Sequence, residues 1–294
     1  MRSFGGGSRR VGWLLAMVVA LGGCGGDDGQ VKLPPPPRGE AVARAIVEGP
    51  VGGGAGMPFV ASTTFDLGEV GYLQEEYFIV GTAVSYRNLG PLATDGIWLA
   101  EPAGSAEYRT RIVVYRPRKR GDFKGTVFLE WLNVSGGLDA AADWLMTHTE
   151  LIRSGHAWVG VSAQKIGVDG GTPLLPGLPV MPLKVADPER YASLIHPGDS
   201  FSYDIFSQAA QAIRRPSGPA PLGELEIQAV IATGDSQSAF RLVTYINAVH
   251  PLANIFDGFL VHSRGSLLSA PLSEPPQAAI STPGTAAIRE DVDA

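Results

Sequence analysis

Gly234-Asp235-Ser236-Gln237-Ser238 sets a serine between small residues two positions to either side. A serine nucleophile needs its hydroxyl thrust out of the chain at a tight turn, and only small neighbours leave room for that turn. The pattern departs from G-x-S-x-G because Ser238 stands where the second glycine would be. The bland alternative is a serine that only caps the next helix.

The flanking elements weigh the two readings. Ile227 to Ala232 is an apolar run broken only by Gln228, the mark of a strand buried on both faces of a parallel sheet. From Ser238 onward, Ala239, Leu242, Val243, Ile246 and Val249 recur at helical spacing. The serine is therefore expected on a strand-to-helix elbow, the context in which the pattern means a nucleophile. The first amide of that helix, Gln237, is placed to stabilise an oxyanion.

The remaining chain reads as the frame for this turn. Residues 41 to 124 are expected to be mostly β, with short runs at Tyr77–Gly81, Ile97–Leu99 and Thr110–Tyr115 and turns at Asn88–Gly90 and Pro102–Gly104. Gly125–Val134 and Ala157–Ala163 are strands, and Ala140–Ser154 between them is a helix closed by Gly155. Strand, helix and strand in alternation predict a mostly parallel sheet with right-handed crossovers. Gly167–Pro188, rich in Gly and Pro, is a loop or cap insertion. Asp199–Ile213 is a helix with Asp199 or Ser200 as its N-cap, and Ile255–Val261 is a further strand.

The N-terminus carries an address. Arg2, Arg9 and Arg10 precede an apolar run, Val11 to Leu21, and then Gly22-Gly23-Cys24. Such a segment is an export signal, too short to span a membrane. The cysteine resembles the lipidated residue of a bacterial lipobox, so residues 1–24 are expected to end in a lipid-modified Cys24. Cys24 is the sole cysteine of the 294 residues, which excludes an internal disulfide. Residues 25–40, with glycines and then four prolines, read as a tether from the membrane to a domain at 41–294. A net charge of −6, with basic clusters such as Arg116 to Arg120 that read as a solvated loop, gives no nucleic-acid footprint. No cluster of His, Asp and Glu has ligand spacing, so neither a metal nor another cofactor is expected.

Glu130-Trp131-Leu132-Asn133-Val134-Ser135-Gly136-Gly137, followed at a distance by Gly234-Asp235-Ser236-Gln237-Ser238, resembles a bacterial α/β-hydrolase-domain family. The resemblance runs from about Gly49 onward. It implies Ser236 as nucleophile, the Gln237 amide as one oxyanion donor, and a second donor around Asn133 in the loop after the early strand. It implies an α/β-hydrolase fold with a β-rich N-terminal portion and a small-molecule carboxylic ester as substrate. Glu130, an acid inside an apolar strand, is expected to pair with an arginine.

A base and an acid should follow the serine. His250 ends a helix and His262 ends a strand, neither being the place the fold gives its base, and Asp257 reads as structural. His148 reads as a core residue and His156 as a turn residue, while His196 could line the pocket. The expectation is of a sheet incomplete at its C-terminal side and a chain inactive as it stands. The alternative is a membrane-tethered lipoprotein that binds a ligand or partner without catalysis.

Overall fold

The computed structural model describes residues 38–292 apart from 176, 178, 266, 276 and 278–281. The export signal, Cys24 and residues 25–37 of the tether lie outside them. Among the described residues no helix is long and apolar enough to cross a membrane.

Among the described residues seven strands form one sheet: β1 (Ile46–Glu48), β2 (Tyr72–Asn88), β3 (Ala100–Pro117), β4 (Thr126–Trp131), β5 (Ala157–Val161), β6 (Ala229–Asp235) and β7 (Gly258–His262). Their spatial order is β1-β2-β3-β5-β4-β6-β7. β4 pairs in parallel with β5 and β6, and β6 with β7, while β1, β2 and β3 join by antiparallel pairing. The parallel half therefore lies where the apolar runs predicted it. β4 and β5 are buried at nearly every position, as strands covered by helices on both faces must be.

The N-terminal half differs from expectation. β2 and β3 form one long hairpin, and Pro102–Gly104 lies inside β3 and not at a turn. Pro102 is opposite Tyr86, beside a register shift at Val84/Tyr86, the irregular kind of position where a strand tolerates proline. Ile97–Leu99 is not a strand. Trp98 is buried there and donates from its indole N–H to Ala93 O at 2.7 Å, inside the turn that joins β2 to β3.

Helices cover both faces. α1 (Ala142–Arg153) packs Trp144 against Tyr115 and Trp158. On the other face α5 (Ser202–Arg214) presents Tyr203 and Phe206 to Trp131. Aromatic pairs of this kind add about 0.5–1.5 kcal/mol each beyond their buried area. Between β5 and α5 lie three short helices, α2 (Lys165–Asp169), α3 (Leu183–Ala186) and α4 (Pro188–Tyr191), where the Gly/Pro content predicted a loop. α6 (Gln237–Thr244) continues through a π turn at Tyr245–Val249 into α7 (His250–Ala253).

α5 is not capped as expected. It starts at Ser202 without a side-chain cap, after a 3-10 turn at Asp199–Phe201. Asp199 instead accepts from Lys165 N and Gln164 Nε2, and Ser200 Oγ is bonded to the backbone of Glu274.

Candidate active site

β6 ends at Asp235 and α6 begins at Gln237, so Ser236 alone makes the turn. Its backbone sits at φ 54°, ψ −112°, a region that costs a non-glycine residue about 1–3 kcal/mol and persists only where the surroundings enforce it. Gly234 is required here. A Cβ on it would come within 3.0 Å of the Ser238 carbonyl group, so strand and helix meet closely because position 234 has no side chain. Ser238, the departure from the usual pattern, is fully buried, and the contact with Gly234 is made by its backbone carbonyl. Ser236 is half-buried, and its Oγ has no hydrogen-bond partner among the described residues. The Gln237 N–H, first in its helix, has none either. A hydroxyl and a helix N-terminal amide, neither bonded among the described residues, thus belong to consecutive residues.

The loop after β4 reaches the elbow. Asn133 and Ala140 exchange backbone hydrogen bonds at 2.9 Å, closing the loop into a ring. Asn133 Nδ2 donates to Asp235 O at 2.9 Å, and its Oδ1 accepts from Ser135 N at 2.9 Å. This corrects the expectation for Asn133 as a backbone oxyanion donor. Its N–H is spent on Ala140, and the residue acts as a strut between loop and elbow. The next amide, of Val134, makes no hydrogen bond among the described residues.

Val134 and Gln237 share the lining of a cavity of about 300 Å³ with Ile166, Leu174, Gln164 and Arg241. The segment ahead of α3 roofs this loop, with Leu175 N donating to Ser135 O at 2.9 Å and Met181 N to Gly137 O at 3.0 Å. The cavity floor is polar. Gln164 Oε1 accepts from Trp131 Nε1 and Gln237 Nε2, and Arg241 bonds Asp199 and Glu274. Burial tends to raise the Asp199 carboxyl, yet Arg241 and His196 hold it below the usual carboxylate range.

Glu130 does not pair with an arginine. Its carboxyl accepts from the N–H groups of Asp143 and Trp144, both at 2.9 Å, and from Trp158 Nε1 at 2.8 Å. Burial first, then the nearby Asp143, push it up to about 8 against those three donors. The buried arginine of this region, Arg111, takes Glu76 at 3.0 Å and Asp139 at 2.8 Å instead. Sequence reasoning missed this group, since nothing in an apolar strand shows which acids its arginine will meet.

The histidines separate clearly. His196 is buried, with Nε2 2.8 Å from Ala163 O and Nδ1 accepting from Gly198 N. Both its ring nitrogens are occupied, so it props a loop and does not line the cavity. His148 Nδ1 lies 3.1 Å from the Trp144 carbonyl, within its own helix. Asp257 is structural, held by Arg214 and Arg38 and accepting from Val230 N. His262 comes to the elbow itself, with Nδ1 3.1 Å from Asp143 Oδ1 and 3.4 Å from Asp235 Oδ1. Among the described residues no group of three or more His, Cys, Asp or Glu side chains is arranged to hold a metal.

A family model described as alpha/beta hydrolase domain matches residues 47–294. The chain belongs to this family. As a member it has the α/β-hydrolase fold, with Ser236 on the strand-to-helix elbow of the sheet described above. No curated protein matches it. Solved structures similar to it include esterase Est22, 12% identical over 65% of this chain and 47% of that one, with a TM-score of 0.32. A glucuronoyl esterase from Solibacter usitatus is 9% identical over 65% of this chain and 47% of that one, with a TM-score of 0.30. A carbohydrate esterase family 15 glucuronoyl esterase from Caldicellulosiruptor kristjansonii is 10% identical over 62% and 42%, with a TM-score of 0.28. The chain thus spans less than half the length of each of these structures.

Proposed function

We propose that this alpha/beta hydrolase domain is built for serine-dependent hydrolysis of carboxylic esters. The observation that carries the reading is Ser236 held at positive φ between β6 and α6, its hydroxyl unbonded beside unspent backbone donors. In the reaction Ser236 Oγ attacks the ester carbonyl carbon, and its proton passes to a general base. The tetrahedral oxyanion accepts from the N–H groups of Gln237 and Val134. Collapse breaks the bond to the alcohol, which leaves with a proton, and water then releases the acid from the acyl-enzyme. The cavity beside Gln237 and Val134 would take one side of the ester.

No histidine among the described residues hydrogen-bonds Ser236 Oγ, and that observation favours a second reading, a non-catalytic domain that binds a ligand or partner. Under either reading the N-terminal segment would export the chain and anchor it to a membrane through a lipid on Cys24. Fluorophosphonate labelling separates the two. The chain, and a form extended into any downstream coding sequence, are each treated with the probe beside their Ser236→Ala variants. Labelling that disappears in the Ala variant supports the hydrolase, and labelling of neither form overturns it in favour of a binding protein.

A further inference from the structure

The elbow is held from two sides, and only one of them belongs to the loop after β4. Asn133 secures the Asp235 carbonyl. On the opposite flank the Ser236 N–H donates to the carbonyl of His262 at 3.0 Å. The His262 imidazole, paired in register with Asp235 across β6 and β7, sets its Nδ1 within reach of both the Asp143 and Asp235 carboxylates. Asp235 Oδ1 is buried, has no hydrogen-bond partner within normal geometry and lies 3.4 Å from the imidazole Nδ1. Asp143 is fixed in turn by the Thr233 hydroxyl and by its place in the first turn of α1, over Glu130.

We propose that His262 is a positioning residue: by joining Asp235 to Asp143, it holds the strained elbow in the geometry that presents Ser236 Oγ. The proposal rests on Ser236 being the nucleophile. Three acidic groups, Glu130 of β4, Asp143 of α1 and Asp235 of β6, converge on this corner. Without the imidazole the last two face each other with no donor between them, and their repulsion acts on the residue that precedes the serine. A backbone forced to positive φ relaxes when such a restraint goes.

The test compares the full chain with His262→Ala, His262→Asn and Asp143→Asn. Asn retains an N–H donor close to the Nδ1 position, and each variant leaves the backbone carbonyl in place. The readouts are the rate of fluorophosphonate labelling at saturating probe, the probe concentration at half-maximal rate, and hydrogen exchange of the Ser236 amide. His262→Ala is expected to slow labelling about 10- to 100-fold, leave half-saturation unchanged and speed Ser236 amide exchange. His262→Asn should recover most of the loss, and Asp143→Asn should reproduce part of it. Wild-type labelling in His262→Ala, or an Asn variant no better than the Ala variant, overturns the proposal. If neither the wild-type chain nor its extended form is labelled, the nucleophile reading fails. The clamp is then decided by exchange alone, supported by faster Ser236 exchange in His262→Ala that His262→Asn restores and overturned by unchanged exchange.

Discussion

The carboxyl of Glu130 accepts the backbone N–H of Asp143 at 2.9 Å, so a residue of β4 caps helix α1 from across the sheet. The helix needs this partner, because Ala141 at its N-cap makes no side-chain hydrogen bond and its first amides would otherwise be buried unpaired. Thr233, level with Glu130 on β6, holds the Asp143 carboxyl in the same first turn. One helix terminus thereby ties together β4, whose following loop contains Asn133, and β6, which ends at the serine.

This arrangement gives stability a pH dependence. Glu130 lies at about 8 in the fold against an ordinary 4.5, so between these values the folded chain binds more proton than the unfolded one. Stability contributed by this group is full below the ordinary value and declines as pH rises toward 8, with a slope of at most ~1.4 kcal/mol per pH unit. Urea denaturation midpoints between pH 5.5 and 7.5 should fall in the wild-type chain. Glu130→Gln should flatten that slope, while lowering stability overall because its amide faces donors that want an acceptor.

Arg111 is fully buried between Glu76 and Asp139, with Ser162 and Tyr191 completing its hydrogen bonds. Replacing it by Met leaves the buried Asp139 carboxylate without its counter-charge and Glu76 with Arg190 as its remaining cation. The expected loss is about 3–5 kcal/mol, seen as a lower denaturation midpoint. Arg111→Lys should recover only part of it, since a single ammonium cannot span both acids as the planar guanidinium does.

The elbow and its strand–helix frame were legible in the sequence because period and turn chemistry are local. Ile227–Ala232 and the helical stripe from Ala239 needed no tertiary knowledge. Partner choice was not legible. Glu130 was expected to meet an arginine, but a buried acid is equally satisfied by a helix N-terminus, and periodicity cannot say which lies above it. Asn133 illustrates the same limit. Its position in the loop was readable, whereas the use of its amide on Ala140 depends on how the ring 133–140 closes. His262 read as a strand end, and only the pairing of β6 with β7 brings its ring to Asp143.

The strut predicts a graded response at Asn133. Asn133→Ala removes the donor to Asp235 O and should cost about 1–2 kcal/mol of folding stability, measured by urea denaturation. Asn133→Asp should cost more, since it sets a carboxylate oxygen against that carbonyl. Both variants should slow fluorophosphonate labelling, and comparable stability and labelling rates in wild type and Asn133→Asp would show that the contact does not matter.

Ser236 gives the opposite sign of stability. At φ 54° it has a conformation that a glycine reaches without the Cβ penalty. Relief of about 1–3 kcal/mol of strain exceeds the ~0.5–1 kcal/mol of extra chain entropy that glycine loses on folding. Ser236→Gly should therefore raise the unfolding temperature while abolishing labelling. Ser236→Ala, which keeps the Cβ, should abolish labelling with a smaller change in stability. A Gly variant less stable than wild type would mean that the surrounding contacts of the serine outweigh its strain, and that the elbow is not a site where stability has been given up for an exposed hydroxyl.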